Sequence, residues 1–251
     1  MGAKNKAEKL SILLPNGKGL WVPIDHAVTN YPIKGLTKIE DTINLLSNVD
    51  AIVAHKGVVS HFASELNPPF VMHISASTIH AGDELDNKML VGSVKEAISR
   101  GAIGVSVQVN LGSNFENIML ERLGMISEKC NKLGVPLLGM MYARGPNLKI
   151  DDNDATKGVA HAVRVGWELG CDIVKTTWTG DAESFKLVTS SVPIPVLVAG
   201  GENKSDFTEI LEMAKDAIKV GAAGLCMGRQ IFEAEDVEKR IELLNDVLRG
   251  D

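Results

Sequence analysis

Short apolar, β-branched runs alternate with longer helix-period segments along nearly the whole chain, and this alternation limits the fold more than any other feature. The runs are Leu20 to Ile24, Ala51 to Ala54, Phe70 to Ile74, Gly104 to Val109, Pro136 to Met141, Ile173 to Thr176, Val196 to Ala199 and Gly224 to Met227. Most are continuously apolar rather than alternating, the pattern of parallel strands buried on both faces. Between them, segments such as Leu36 to Ser47, Asn114 to Leu133, Asp154 to Leu169 and Phe207 to Val220 read as amphipathic helices. Gly101, Gly134, Gly170 and Gly221 end four helical segments just before the next strand, each suited to a left-handed cap. Eight βα units with no Pro/Gly/Ser-rich linker or charge block predict a single domain over residues 1–251, an α/β fold closed as a (β/α)8 TIM barrel. The length of 251 residues is what one such barrel takes, about 250.

Composition narrows the function. The net charge is −6, with acids and bases interleaved, so neither a nucleic-acid surface nor a polybasic membrane patch is expected. No apolar run approaches the roughly 18 residues of a membrane span. Met1 to Leu10 is polar and lysine-rich, unlike a secretory signal, and the chain begins close to its first strand. Three widely spaced cysteines, Cys130, Cys171 and Cys226, read as reduced core residues of a cytoplasmic protein. The six histidines show no metal-ligand spacing, so no metal is expected.

In a barrel of this kind, chemistry gathers at the C-terminal ends of the strands. The first rim carries Asp25-His26, the second His55-Lys56-Gly57, the third His73 to Ser77 and the fourth Gln108-Val109-Asn110. The fifth carries Tyr142-Ala143-Arg144-Gly145, the sixth Lys175-Thr176, the seventh Gly200 to Lys204 and the eighth Gly228-Arg229. Eight polar rims argue for an enzyme.

Two constellations stand out. Gly200-Gly201 and Gly228-Arg229 lie where many barrels seat a phosphate on backbone N–H groups. The competing reading is a pair of tight turns with no ligand. Lys175, Tyr142 and Asp25 form the second group. A lysine entering a buried strand loses hydration, and a lowered pKa makes it a nucleophile for carbonyl carbon. Tyr142 suits proton transfer and Asp25 suits orienting hydroxyls. Against this, Lys175 reaches water by its stem, Tyr142 is a rim aromatic and Asp25 a cap. Their joint occurrence at three strand ends favours catalysis.

Val22-Pro23-Ile24-Asp25-His26, Pro32 to Leu36, His55-Lys56-Gly57, Met140 to Gly145, Asp172 to Thr176, Thr179-Gly180-Asp181, Val198 to Gly201 and Met227 to Phe232 resemble the archaeal-type (DhnA-type) class I aldolase family, in order and over nearly the whole chain. The resemblance implies a (β/α)8 barrel working through a covalent lysine imine, with no metal or other cofactor, and a ring-based homo-oligomer, often a decamer. It makes Lys175 the imine-forming residue, Tyr142 the proton-transfer residue and Asp25 its acidic partner. It places a sugar phosphate on Gly200, Gly201, Gly228 and Arg229; His26, Lys56 and Arg144, at the first, second and fifth rims, are expected as further substrate contacts. The implied substrates are a phosphorylated ketose and a small aldehyde. Met140, where fructose-bisphosphate aldolases of this type often have tryptophan, points to the synthase branch. Trp178 stands where tyrosine is common, and the short stretch before the first strand lacks the N-terminal segment with which relatives close the barrel floor. A secondary-metabolite aldolase, a fructose-bisphosphate aldolase and a sugar-phosphate-binding barrel without catalysis are the rival readings.

Overall fold

The computed structural model describes residues 5–149, 154–201 and 206–250. Eight parallel strands close a barrel in chain order: β1 (Gly19–Pro23), β2 (Ala51–Ala54), β3 (Phe70–His73), β4 (Gly104–Leu111), β5 (Leu137–Ala143), β6 (Ile173–Thr177), β7 (Val196–Ala199) and β8 (Gly224–Cys226). β8 returns to β1, pairing Trp21 with Cys226. The four helix-ending glycines all have positive φ, from 60° at Gly134 to 101° at Gly221.

Strand parity sorts the apolar residues into two cores. Outward residues, among them Val22, Ile52, Met72, Val107, Val174 and Val198, pack under the surrounding helices. Inward residues fill the barrel itself: Trp21, Ala51, Val53, Val71, Leu138, Met140, Ile173, Leu197 and Cys226. Both faces of most strands are therefore apolar, which is why those strands read as continuous runs, while β4 turns Ser106, Gln108 and Asn110 inward. β4 and β5 are the longest strands and pair at seven positions, from Val105–Leu137 to Leu111–Ala143. They carry Asn110 and Tyr142 toward the C-terminal rim.

The floor differs from expectation. A helix, Lys6–Leu13, precedes β1 and is opened by a capping box between Asn5 and Glu8. Leu13 and Leu14 join the inner core, and the Trp21 indole Nε1–H donates to the Leu13 carbonyl at 2.8 Å. Lys6 pairs with Asp172 at 3.0 Å, and Lys9 donates to the Gly134 carbonyl. The chain thus has a floor-closing segment. The segment is too short and too lysine-rich to read as a plug, and Leu13 and Leu14, with Leu10 beside them, supply its apolar contact.

Candidate active site

The C-terminal rim surrounds a cavity of about 620 Å³. Among the described residues, Lys34, Lys88, Arg144, Lys175 and Arg229 line it, against one acid, Glu233. In a chain of net charge −6, such a basic wall selects anionic ligands.

Lys175 stands at the centre. It is inward-facing on β6, between Met140 of β5 and Leu197 of β7, and only 7% exposed. The alternative in which its stem carries it to water does not hold. Tyr142 lies on the same inward face of β5, two residues nearer the rim than Met140, and lines the cavity. Cys226, inward on β8, also lines it and is hydrogen-bonded to Lys175.

Burial acts to lower the pKa of Lys175, but the Cys226 sulphur, the Tyr142 hydroxyl and the Asp25 carboxylate outweigh it and raise the amine above its ordinary value. This reverses the expected direction. Burial pushes the Cys226 thiol up, so at neutral pH the charge that retains the ammonium is that of Asp25. Nucleophilic attack therefore requires the ammonium to pass a proton to a neighbour or to bound substrate first.

Asp25 follows β1 and its side chain is 16% exposed. It lies 3.6 Å from His26 Nδ1 and 3.8 Å from His73 Nε2. Burial would raise its carboxyl, but His73, His26, Lys175 and His55 bring it down to about 2. Burial also holds His26, His55 and His73 below their usual values, His73 at about 3, so all three are neutral at pH 7. His73 is fixed from several sides. Its Nδ1 meets Ser106 Oγ at 2.8 Å, its Nε2 meets Ser75 Oγ at 3.3 Å, and its carbonyl lies 3.1 Å from His55 Nδ1.

A histidine depressed from 6.5 to about 3 contributes stability that is complete above pH 6.5 and lost as pH falls toward 3. From His73 alone, lowering the pH from 6.5 to 5 is expected to remove about 2 kcal/mol. His26 and His55 shift the same way. Urea unfolding at pH 7 and pH 5 should show this loss, and His73→Asn should shrink it. An equal loss in the variant would refute the assignment.

The expected phosphate-binding glycines share the cavity wall with Arg229. Gly201 has φ of +68° and nothing within 4 Å of where a Cβ would sit, so backbone and space are both open to a ligand. Gly228 is held by packing as well, since a Cβ there would lie 2.5 Å from the Pro23 carbonyl oxygen. His26 and Arg144 also line the cavity. Glu202, Asn203 and Lys204 lie outside the described residues.

Lys56 does not join this group. It opens the helix Lys56–Phe62, is 44% exposed and pairs with Glu96 at 3.3 Å. Trp178 packs on Phe185, ring centroids 4.9 Å apart, and is not on the cavity wall. In the sequence, His73 has a place on the third rim but no role, Cys226 reads as core, and nothing singles out Lys88. Strand parity could have found Cys226, which pairs with inward Trp21, but Lys88 is not at a strand end. Among the described residues, no three His, Cys, Asp or Glu side chains form a metal-binding group.

A family model described as DeoC/LacD family aldolase matches residues 20–234. The chain belongs to this aldolase family. It is 41% identical over 233 residues to a Streptomyces griseus protein named 2-amino-4,5-dihydroxy-6-oxo-7-(phosphonooxy)heptanoate synthase, covering 91% of this chain and 84% of that one. It is 39% identical to 2-amino-3,7-dideoxy-D-threo-hept-6-ulosonate synthase 1 of Archaeoglobus fulgidus, covering 98% and 91%. Among solved structures, an archaeal fructose 1,6-bisphosphate aldolase superposes on the aldolase with TM-score 0.89 at 26% identity, covering 98% of this chain and all of that one. An archaeal fructose-1,6-bisphosphate aldolase with its catalytic lysine bound to the carbinolamine intermediate gives TM-score 0.87 at 26% identity, covering 97% and 99%.

Proposed function

We propose that this aldolase joins a phosphorylated ketose to L-aspartate 4-semialdehyde through an imine on Lys175, giving 2-amino-3,7-dideoxy-D-threo-hept-6-ulosonate or its phosphorylated counterpart. The observation that carries this reading is the buried Lys175 at the centre of a basic cavity, flanked by Tyr142 and within the field of the Asp25 carboxylate. The neutral amine attacks the keto carbon, and loss of water from the carbinolamine leaves the imine. With a longer ketose, Tyr142 takes the proton of the hydroxyl next to the breaking C–C bond, the electron pair of that bond passes into the enamine, and the carbons beyond it leave as an aldehyde. With dihydroxyacetone phosphate no C–C bond breaks, and loss of a proton from the carbon beside the imine gives the enamine. The enamine carbon then attacks the acceptor aldehyde, Tyr142 returns a proton to the new alkoxide, and water releases the product. Asp25 holds the ammonium in the resting site and passes protons during dehydration. Gly200, Gly201, Gly228 and Arg229 take the phosphate, with His26 beside them. A cytoplasmic homo-oligomer, such as a decamer, completes the proposal.

The S. griseus relative is named for a product that keeps a phosphonooxy group and the A. fulgidus relative for one without it. The donor therefore decides between the two products. Dihydroxyacetone phosphate and 6-deoxy-5-ketofructose 1-phosphate, each offered with and without the semialdehyde, separate the cases by product mass. A seven-carbon amino acid that forms only with the semialdehyde is the expected result. Cleavage of fructose 1,6-bisphosphate with no semialdehyde product would move the chain to the fructose-bisphosphate branch.

A further inference from the structure

The cavity has a second cationic end. β4 lies four strands from β8 around the barrel, so the rims of β4 and β5 face those carrying Gly200, Gly228 and Arg229. Between β3 and β4 the chain forms a ribbon, Ser75–Ala76 against Met89–Leu90, that brings Lys88 to the cavity wall. Lys88 is 9% exposed, and its Nζ donates to Ser77 Oγ at 2.5 Å. Among the described residues no carboxylate lies within 4.0 Å of it. Arg144 reaches the same wall, its guanidinium 4.6 Å over the Tyr142 ring. Its Nε donates to Asn110 Oδ1 at 2.9 Å, leaving both terminal nitrogens without an acceptor among the described residues.

These positions are rigid. Asn110 is fully buried; its Oδ1 also accepts from Gln108 Nε2, and its Nδ2 donates to the Asp86 carbonyl. Arg122 clamps the next two residues, donating to Asn87 Oδ1 at 2.7 Å and to the Lys88 carbonyl at 2.9 Å. One buried amide thus ties the arginine to the segment that carries the lysine. Two neighbouring cations on a partly dry wall, with Asp86 and Asp25 acting on Lys88 only from beyond ion-pair distance, cost free energy that a bound anion returns. Burial and Arg144 lower the Lys88 pKa, as that cost requires.

We propose that Lys88 and Arg144 form an acceptor-anion subsite that binds the carboxylate of an aldehyde substrate. The proposal rests on the aldolase reading of the same cavity and deepens it by assigning the residues that select the acceptor. The fork of Arg144 engages the carboxylate through two parallel N–H donors and Lys88 adds a third contact. With its tail held there, the aldehyde lies beside Tyr142, directly beneath the guanidinium, where its oxygen receives the proton as the enamine carbon bonds to it. Anchors at opposite rims, phosphate on one and carboxylate on the other, leave the reacting carbons over Lys175.

The test is steady-state kinetics of wild type, Lys88→Met and Lys88→Arg with one ketose phosphate donor and three acceptors: L-aspartate 4-semialdehyde, glyceraldehyde 3-phosphate and uncharged propionaldehyde. Lys88→Met is expected to raise KM for the semialdehyde about 10- to 100-fold with kcat little changed. KM for propionaldehyde should stay as in wild type, and Lys88→Arg should restore part of the semialdehyde affinity. The thermal midpoint of Lys88→Met should not fall, since a partly desolvated cation beside Arg144 is removed. Equal effects on charged and neutral acceptors, or none on the semialdehyde, would overturn the proposal. A loss confined to glyceraldehyde 3-phosphate would overturn the carboxylate assignment in favour of a phosphate subsite. Borohydride trapping of the donor on wild-type protein keeps the two readings apart. If the adduct forms and the Lys88 effect is missing, only the subsite fails; if no adduct forms, the aldolase reading itself fails.

Discussion

Lys175→Met is expected to abolish turnover, by about four orders of magnitude or more, while the protein stays folded. Loss of a covalent nucleophile has effects of that size, because no other group can form the intermediate. Methionine nearly matches the lysine stem and removes the buried ammonium, so packing against Met140 and Leu197 is kept. Lys175→Arg keeps the cation beside Asp25 but offers no neutral amine. Initial rates with any accepted donor, together with a thermal melt, check both. A variant that keeps even a hundredth of the rate would remove Lys175 from the chemistry.

Asp25→Asn separates two functions that one carboxylate performs. With the anion gone, Lys175 loses the charge that holds its ammonium at neutral pH, and its pKa should fall. Imine formation should then persist or extend to lower pH, while turnover drops about 10²- to 10⁴-fold for want of the proton carrier. Single-turnover trapping against pH, set beside steady-state rates, reads the two effects separately. The substitution also bears on stability. A carboxyl at about 2 in the fold, against 3.8 as its ordinary value, contributes about 2 kcal/mol above pH 3.8 that is lost as pH falls toward 2. Because the Asp25 and Lys175 shifts describe one interaction in part, they are not added. If imine formation and turnover fell together in Asp25→Asn, the carboxylate would be needed for attack itself.

The barrel could be read from the sequence because its strands are buried on two sides. Val196 to Ala199 and Ala51 to Ala54 are apolar throughout, and their boundaries are those expected. Lys175 and Tyr142 were legible for a related reason, a polar side chain at the end of an apolar run having few places to point except the mouth of the barrel. The same reasoning misplaced Lys56. It follows His55, whose imidazole turns to the His73 carbonyl, and as the first residue of a helix it points outward to Glu96. Lys88 left no trace in the pattern because a two-residue ribbon strand is too short to show a period. The electrostatics were the least legible part. The direction of the Lys175 shift depends on where Asp25 and Cys226 fall in space, and these residues are 201 positions apart in the chain while strands β1 and β8, which bring them there, are adjacent in the barrel.

Borohydride trapping tests the central claim most directly. The protein is incubated with dihydroxyacetone phosphate, reduced, digested and searched by mass spectrometry for the added mass. The account predicts one adduct, on Lys175, absent from Lys175→Arg. No adduct with any ketose phosphate, despite measurable binding, would contradict it and leave a barrel that holds sugar phosphates without forming a covalent bond to them.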